Sequence, residues 1–169
     1  MNIREQLLEE HSKINALKVA HYACVSENNF KELIKCFTSD NYVLAQRAAW
    51  SVSWAAAEKP EMVYPHIKAL VAVLKKKNVH PAVVRNSVRV LLQLDIPQKY
   101  HGEVMNACFQ FLETATTPVA IKVFSLTTLL HLSEHYPEIK HELKLVIDEN
   151  LPNETAAFAA RAKKVLPKL

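Results

Sequence analysis

Residues 42–60 read YVLAQRAAWSVSWAAAEKP, and this run decides the fold because its outline recurs. Residues 81–97, PAVVRNSVRVLLQLDIP, and 118–137, PVAIKVFSLTTLLHLSEHYP, align with it so that Arg47, Arg85 and Lys122 share one column, at steps of 38 and 37 residues. Seven positions later the same alignment gives Trp54, Leu92 and Leu129. Residues 154–168, ETAAFAARAKKVLPK, continue the apolar column with Leu166 but place Ala159 in the basic one, which lapses as in a terminal capping repeat. Prolines punctuate the pattern. Pro81 and Pro118 open apolar helical runs, where a missing N–H is harmless, and Pro60, Pro97 and Pro137 follow such runs. Self-similarity at 37 to 40 residues points to stacked supersecondary units.

Between the aligned runs lie second amphipathic segments, FKELIKCF, MVYPHIKALVAVLKKK, KYHGEVMNACFQFLE and EIKHELKLVIDE. Ile67, Leu70, Val71 and Leu74 fall at i, i+3, i+4 and i+7, one face of a helix, and Val104, Ala107, Cys108 and Phe111 repeat the spacing. Short polar turns join the helices of each pair, with Asn78, Thr116 or Thr117, and Asn153 expected as N-caps. No segment sustains a period of two. The sequence therefore predicts an all-α chain, a single domain over residues 1–169. A helical region at 2–27, broken near Ser12, precedes helix pairs at about 29–58, 60–96, 97–135 and 137–169.

The paired units resemble HEAT repeats. The likeness lies in the second helix of each pair, at Val84-Arg85 through Leu91-Leu92 and at Ile121-Lys122 through Thr128-Leu129, and in the proline between units. It implies a right-handed α-α superhelix, a HEAT-like solenoid of about four helix pairs with the second helices lining a concave side. By the same resemblance, function is partner binding along that concavity.

Composition removes other classes. The 169 residues contain one glycine, Gly102, which leaves no GxGxxG, P-loop or nucleophile elbow. The formal charge is +4, compatible with an anionic partner without demanding one. Cys24, Cys36 and Cys108 are widely spaced, offer neither a CxxC pair nor an even disulfide set, and fit free thiols in a reducing cytoplasm. No apolar run approaches the roughly 20 residues of a membrane span, and the N-terminus lacks the apolar core of a secretion signal. A cytoplasmic protein is expected.

Candidate binding residues on the expected concave face are Arg47, Arg85 and Lys122, with Arg89 one turn further on and Trp50 as an aromatic anchor. The plain structural alternative is that each long cation pairs with a turn carboxylate or carbonyl of its own or the next repeat. Only Asp40 stands near enough in sequence to serve. Trp54, in a leucine column, is expected in the core, whereas the column of Trp50 holds Val88, Ser125 and Ala162. Lys75, Lys76 and Lys77 read as a solvated helix end. His131 and His135, with His141 or Glu138, have partial metal-ligand spacing, but Pro137 interrupts them and no HExxH order is present. His21 and Cys24 lack an orienting third group. The expectation is a non-enzymatic scaffold without metal or cofactor that binds another protein with an acidic surface. The alternative is a nucleic-acid binder resembling the HEAT-like DNA alkylation repair proteins.

Overall fold

The computed structural model describes residues 1–169, all helix and connecting turn, grouped in two compact units, 1–95 and 96–169. The first contains α1 (Ile3–Glu9), α2 (Lys13–Ala23), α3 (Glu27–Phe37), α4 (Tyr42–Glu58), α5 (Ile67–Val73) and α6 (Pro81–Leu91). The second contains α7 (His101–Glu113), α8 (Val119–Leu132), α9 (Ile139–Asn150) and α10 (Ala156–Val165). Two 3-10 turns lead into α5 and one into α7, and one follows each of α9 and α10. No helix is long and apolar enough to cross a membrane.

Local chemistry sets most helix starts. Asn2, Ser12, Ser26 and Asn41 each accept a hydrogen bond from the N–H three residues on, satisfying a donor that the helix itself leaves free. Asn78, Thr116, Thr117 and Asn153 do not take that role. The ring of His80 accepts from Ala82 N at 3.0 Å to cap α6, Thr155 caps α10, and α8 starts at Pro118 without a side-chain cap. Asn78 occupies the left-handed region at φ 59°, which asparagine tolerates better than most residues, and so turns the chain ahead of the cap.

In the first unit α4 is the central element, packed against α1, α2, α3 and α6. That crowding explains its alanines. Ala45, Ala48, Ala49, Ser51, Val52, Ser53, Ala55 and Ala56 are buried on three sides, where larger side chains would hold neighbouring helices apart. What remains open on α4 is one stripe, Val43, Gln46, Arg47, Trp50, Trp54 and Ala57, at helical spacing. On α6 the open stripe is Pro81, Arg85, Arg89 and Leu92. In the second unit α8 packs on α7 and α10, and α7 on α9, around Val104, Cys108, Leu112, Leu126, Leu129, Leu143, Ile147 and Phe158.

The turn from α1 to α2 is pinned from inside. Buried Asn15 donates to Gln6 O at 2.7 Å and Glu10 O at 2.9 Å and accepts from the Gln6 amide at 3.0 Å. These bonds satisfy carbonyls at the end of α1 and hold His11 and Lys13 beside α4.

Candidate functional site

The five sequence-predicted binding residues meet different fates. Arg47 is partly buried and donates from its guanidinium to Leu7 O at 2.9 Å, so it binds a carbonyl near the end of α1. Lys122 is 2 % exposed and ion-paired with Glu154, in the turn before α10. It is therefore removed from any exposed ladder, and its partner comes from the next repeat's turn, a position sequence proximity did not reveal. Asp40 pairs not with Arg47 but with Lys76, at 2.8 Å. Arg85 is exposed and Arg89 partly exposed, and neither joins an ion pair; the paired carboxylates of this unit, Glu32, Asp40 and Glu58, are engaged by Lys35, Lys76 and His21.

Trp50 is partly exposed, tilted against the His11 ring at a centroid distance of 5.5 Å. His11, Gln46, Trp50, Ala82 and Arg85 line a depression of about 160 Å³. Trp54, expected in the core, is only partly buried. Its ring carries Lys13 Nζ at 5.3 Å and the Arg89 guanidinium carbon at 6.0 Å, within cation–π range, and its Nε1 is buried without a hydrogen-bond partner. The aromatic ring offers both cations a partly desolvated face at the surface of α4.

The site therefore consists of two rungs. One sets His11, Trp50 and Arg85 around the depression; the next, one helical turn along α4 and α6, sets Lys13, Trp54 and Arg89 together. His11, Lys13, Gln46 and Trp54 were not singled out as binding residues. Trp54 could have been, since it lies four residues from Trp50 on the same face, whereas His11 and Lys13 reach the site only through the α1–α2 turn.

Positive charge converges here. Residues 1–95 hold 13 Lys and Arg against 9 Asp and Glu, while residues 96–169 hold 8 of each, so the whole excess belongs to the first unit. His80, its ring tilted against Tyr42 at a centroid distance of 4.6 Å, feels that field. Burial first, then the charges of Arg85 and His11, hold its imidazole below the ordinary value of 6.5.

Neither weaker chemical possibility gains a site. His21 turns to Glu58 at 2.5 Å while Cys24 Sγ donates toward Ala55 O at 3.7 Å, and burial pushes the Cys24 thiol up to about 11, the opposite of an activated thiolate. Burial likewise pushes Cys108 up to about 12. His135 packs against His101 at 5.4 Å, and His101 is engaged with Tyr136 Oη and Ile96 O at 3.1 and 2.6 Å. No three His, Cys, Asp or Glu side chains are grouped to hold a metal ion.

No curated protein and no solved structure matches the chain significantly. The family model described as a HEAT repeat domain matches residues 3–169. Such repeats generally serve as protein-interaction scaffolds and are typically not catalytic. With its paired helices, recurrent prolines and match over nearly its full length, the chain belongs to the HEAT repeat family.

Proposed function

We propose that the protein is a non-enzymatic scaffold that receives a partner protein with an acidic surface on the α4–α6 face of its first unit. One observation carries this reading: the open stripes of two adjoining second helices present Trp50 and Trp54 beside Arg85 and Arg89, with neither arginine in an ion pair. Packed helices ordinarily expose charges of both signs. A face combining indole rings with arginines has the composition enriched at the centres of protein interfaces. Arg85, Arg89 and Trp50 are the binding residues; Arg47 and Lys122 support the fold. Three buried, unpaired cysteines agree with a reducing, cytoplasmic setting.

Nucleic-acid binding is the second reading, favoured by the same juxtaposition of arginines and flat rings. Position-specific photocrosslinking separates the two. A photoreactive residue at Val43 or at Ala57, exposed on the open stripe of α4, should in nuclease-treated lysate capture a protein that the same residue at Lys31 or Lys68, on the first helices α3 and α5, does not. Equal capture at all four positions, or capture that disappears with nuclease treatment, overturns the scaffold reading.

A further inference from the structure

Resting on that reading, we infer that the site recognises an extended acidic segment whose carboxylates stand two residues apart, one at each rung, with a glutamate stem lying against Trp50.

The spacing follows from the helices. Trp50 and Trp54, like Arg85 and Arg89, are four residues apart, so the rungs are separated by about 6 Å along the helix axes. In an extended chain, side chains at i and i+2 point to the same side about 6.6 Å apart, and the residue between them points away. The two repeats nearly coincide. An extended strand lying along α4 therefore delivers a carboxylate to Arg85 and His11 at one rung and another to Arg89 and Lys13 at the next.

The first rung has the features of a side-chain pocket. Its depression of about 160 Å³ is walled by an indole, a guanidinium, an imidazole and the amide of Gln46. Cavities of about 150 Å³ hold a benzene-sized group, which is also the scale of one glutamate side chain. The methylenes pack on Trp50, the carboxylate takes the two-pronged guanidinium of Arg85, and the Gln46 amide supplies a further donor.

The second rung sets two like charges against one ring. Lys13 and Arg89 both approach the ring of Trp54 with no carboxylate in the group. The indole attracts each cation but does nothing to lessen their mutual repulsion. A carboxylate brought to the edge of this ring is attracted by both cations, beside an indole already partly closed to water.

A carboxylate-bearing chain fits better than a nucleic acid on magnitude. Nucleic-acid affinity built on backbone charge typically draws on about 6–10 phosphate contacts. Here four basic side chains, His11 and Arg85 at one rung and Lys13 and Arg89 at the next, face an anion, and the excess positive charge of the unit is small.

The test uses the full-length protein and fluorescein-labelled peptides followed by anisotropy. One peptide alternates glutamate and alanine; a second contains the same residues in blocks of two, as a Glu-Glu-Ala-Ala repeat in which no two glutamates stand two apart; a labelled twelve-nucleotide oligothymidine is the third probe. The alternating peptide should bind about tenfold more tightly than the blocked one, the scale of one charged hydrogen bond lost. Arg85→Ala and Arg89→Ala should each weaken it about tenfold, while Arg161→Ala, in the second unit, leaves it unchanged. Circular dichroism and denaturation midpoints confirm that each variant is folded. Equal affinity for the two peptides, or indifference to Arg85→Ala and Arg89→Ala, overturns the inference. So does tighter binding of the oligonucleotide with loss in the same two variants. The scaffold reading fails separately. If crosslinks still concentrate at Val43 and Ala57 while the peptides show no spacing preference, the face is right and the acidic segment is wrong.

Discussion

Lys122 on α8 and Glu154, 32 residues later, form an ion pair almost wholly withdrawn from water, with side-chain exposures of 2 % and 12 %. The pair ties α8 to the turn that launches α10. Removing one partner leaves a buried charge without compensation, which typically costs about 3–5 kcal/mol. Glu154→Gln should lower the unfolding free energy by that order in urea titrations. Replacing both partners by methionine should recover most of the loss, since no charge then remains to be buried. If Glu154→Gln costs nothing, Lys122 has another counter-charge or reaches solvent.

Arg47 makes the corresponding point for the first unit. Its hydrogen bond to Leu7 O fastens α1, a helix of only 7 residues that does not persist without tertiary support. Arg47→Ala should cost about 1.5–3 kcal/mol, the range for a hydrogen bond to a charged group. It should also raise amide exchange in residues 3–9 before the rest of the chain is affected. Uniform loss of protection throughout residues 1–95 would show that α1 does not open separately.

The repeat architecture was legible because it is written in local patterns: apolar residues at helical spacing, prolines at junctions and a period of 37 to 40 residues. The fates of the column residues were not, for two physical reasons. Their partners are distant in sequence: Leu7 for Arg47 and Glu154 for Lys122. The helices are also rotated differently about their own axes, and one residue step turns a helix by about 100°. On α6 the open stripe includes the column residue Arg85, whereas on α8 it falls at Val123, Phe124 and Thr127, which turns Lys122 inward. The same effect separates Leu129, fully buried, from Trp54 in its column. A column specifies a position in the repeat, and the packing of that particular helix decides what the position faces.

Two histidines link stability to acid. His66 stacks on Phe30 at 5.6 Å, and burial first, then the charge of Lys31, holds its imidazole below the ordinary 6.5. His80 is lowered by burial, Arg85 and His11, and its ring accepts the capping bond from Ala82 N, which a protonated ring nitrogen could not do. In both cases the unfolded chain takes up protons more readily than the folded one, so stability rises with pH across the interval between the folded and unfolded values. The contribution is complete above 6.5 and is lost as pH falls through the lower folded value. Urea midpoints should therefore decline below pH 6.5, and the decline should be shallower in His66→Phe and in His80→Asn, where asparagine can still cap α6. A profile identical in all three proteins would place the acid sensitivity elsewhere.

The tryptophans themselves report the electrostatics of the α4–α6 face. Trp54→Phe leaves Trp50 as the sole indole, beside His11 and Arg85; Trp50→Phe leaves Trp54, beneath Lys13 and Arg89. Because both rings are partly exposed among cations, iodide should quench each more effectively than caesium, with neutral acrylamide between them. The difference should be large at about 0.01 M salt and nearly vanish at about 1 M, as the screening length falls from about 30 to 3 Å. A Trp50 protected from all three quenchers is buried and cannot anchor a partner. A Trp50 reached equally by anion and cation at low salt is exposed but lacks the positive field that an acidic partner requires, and either result removes this face as the docking surface.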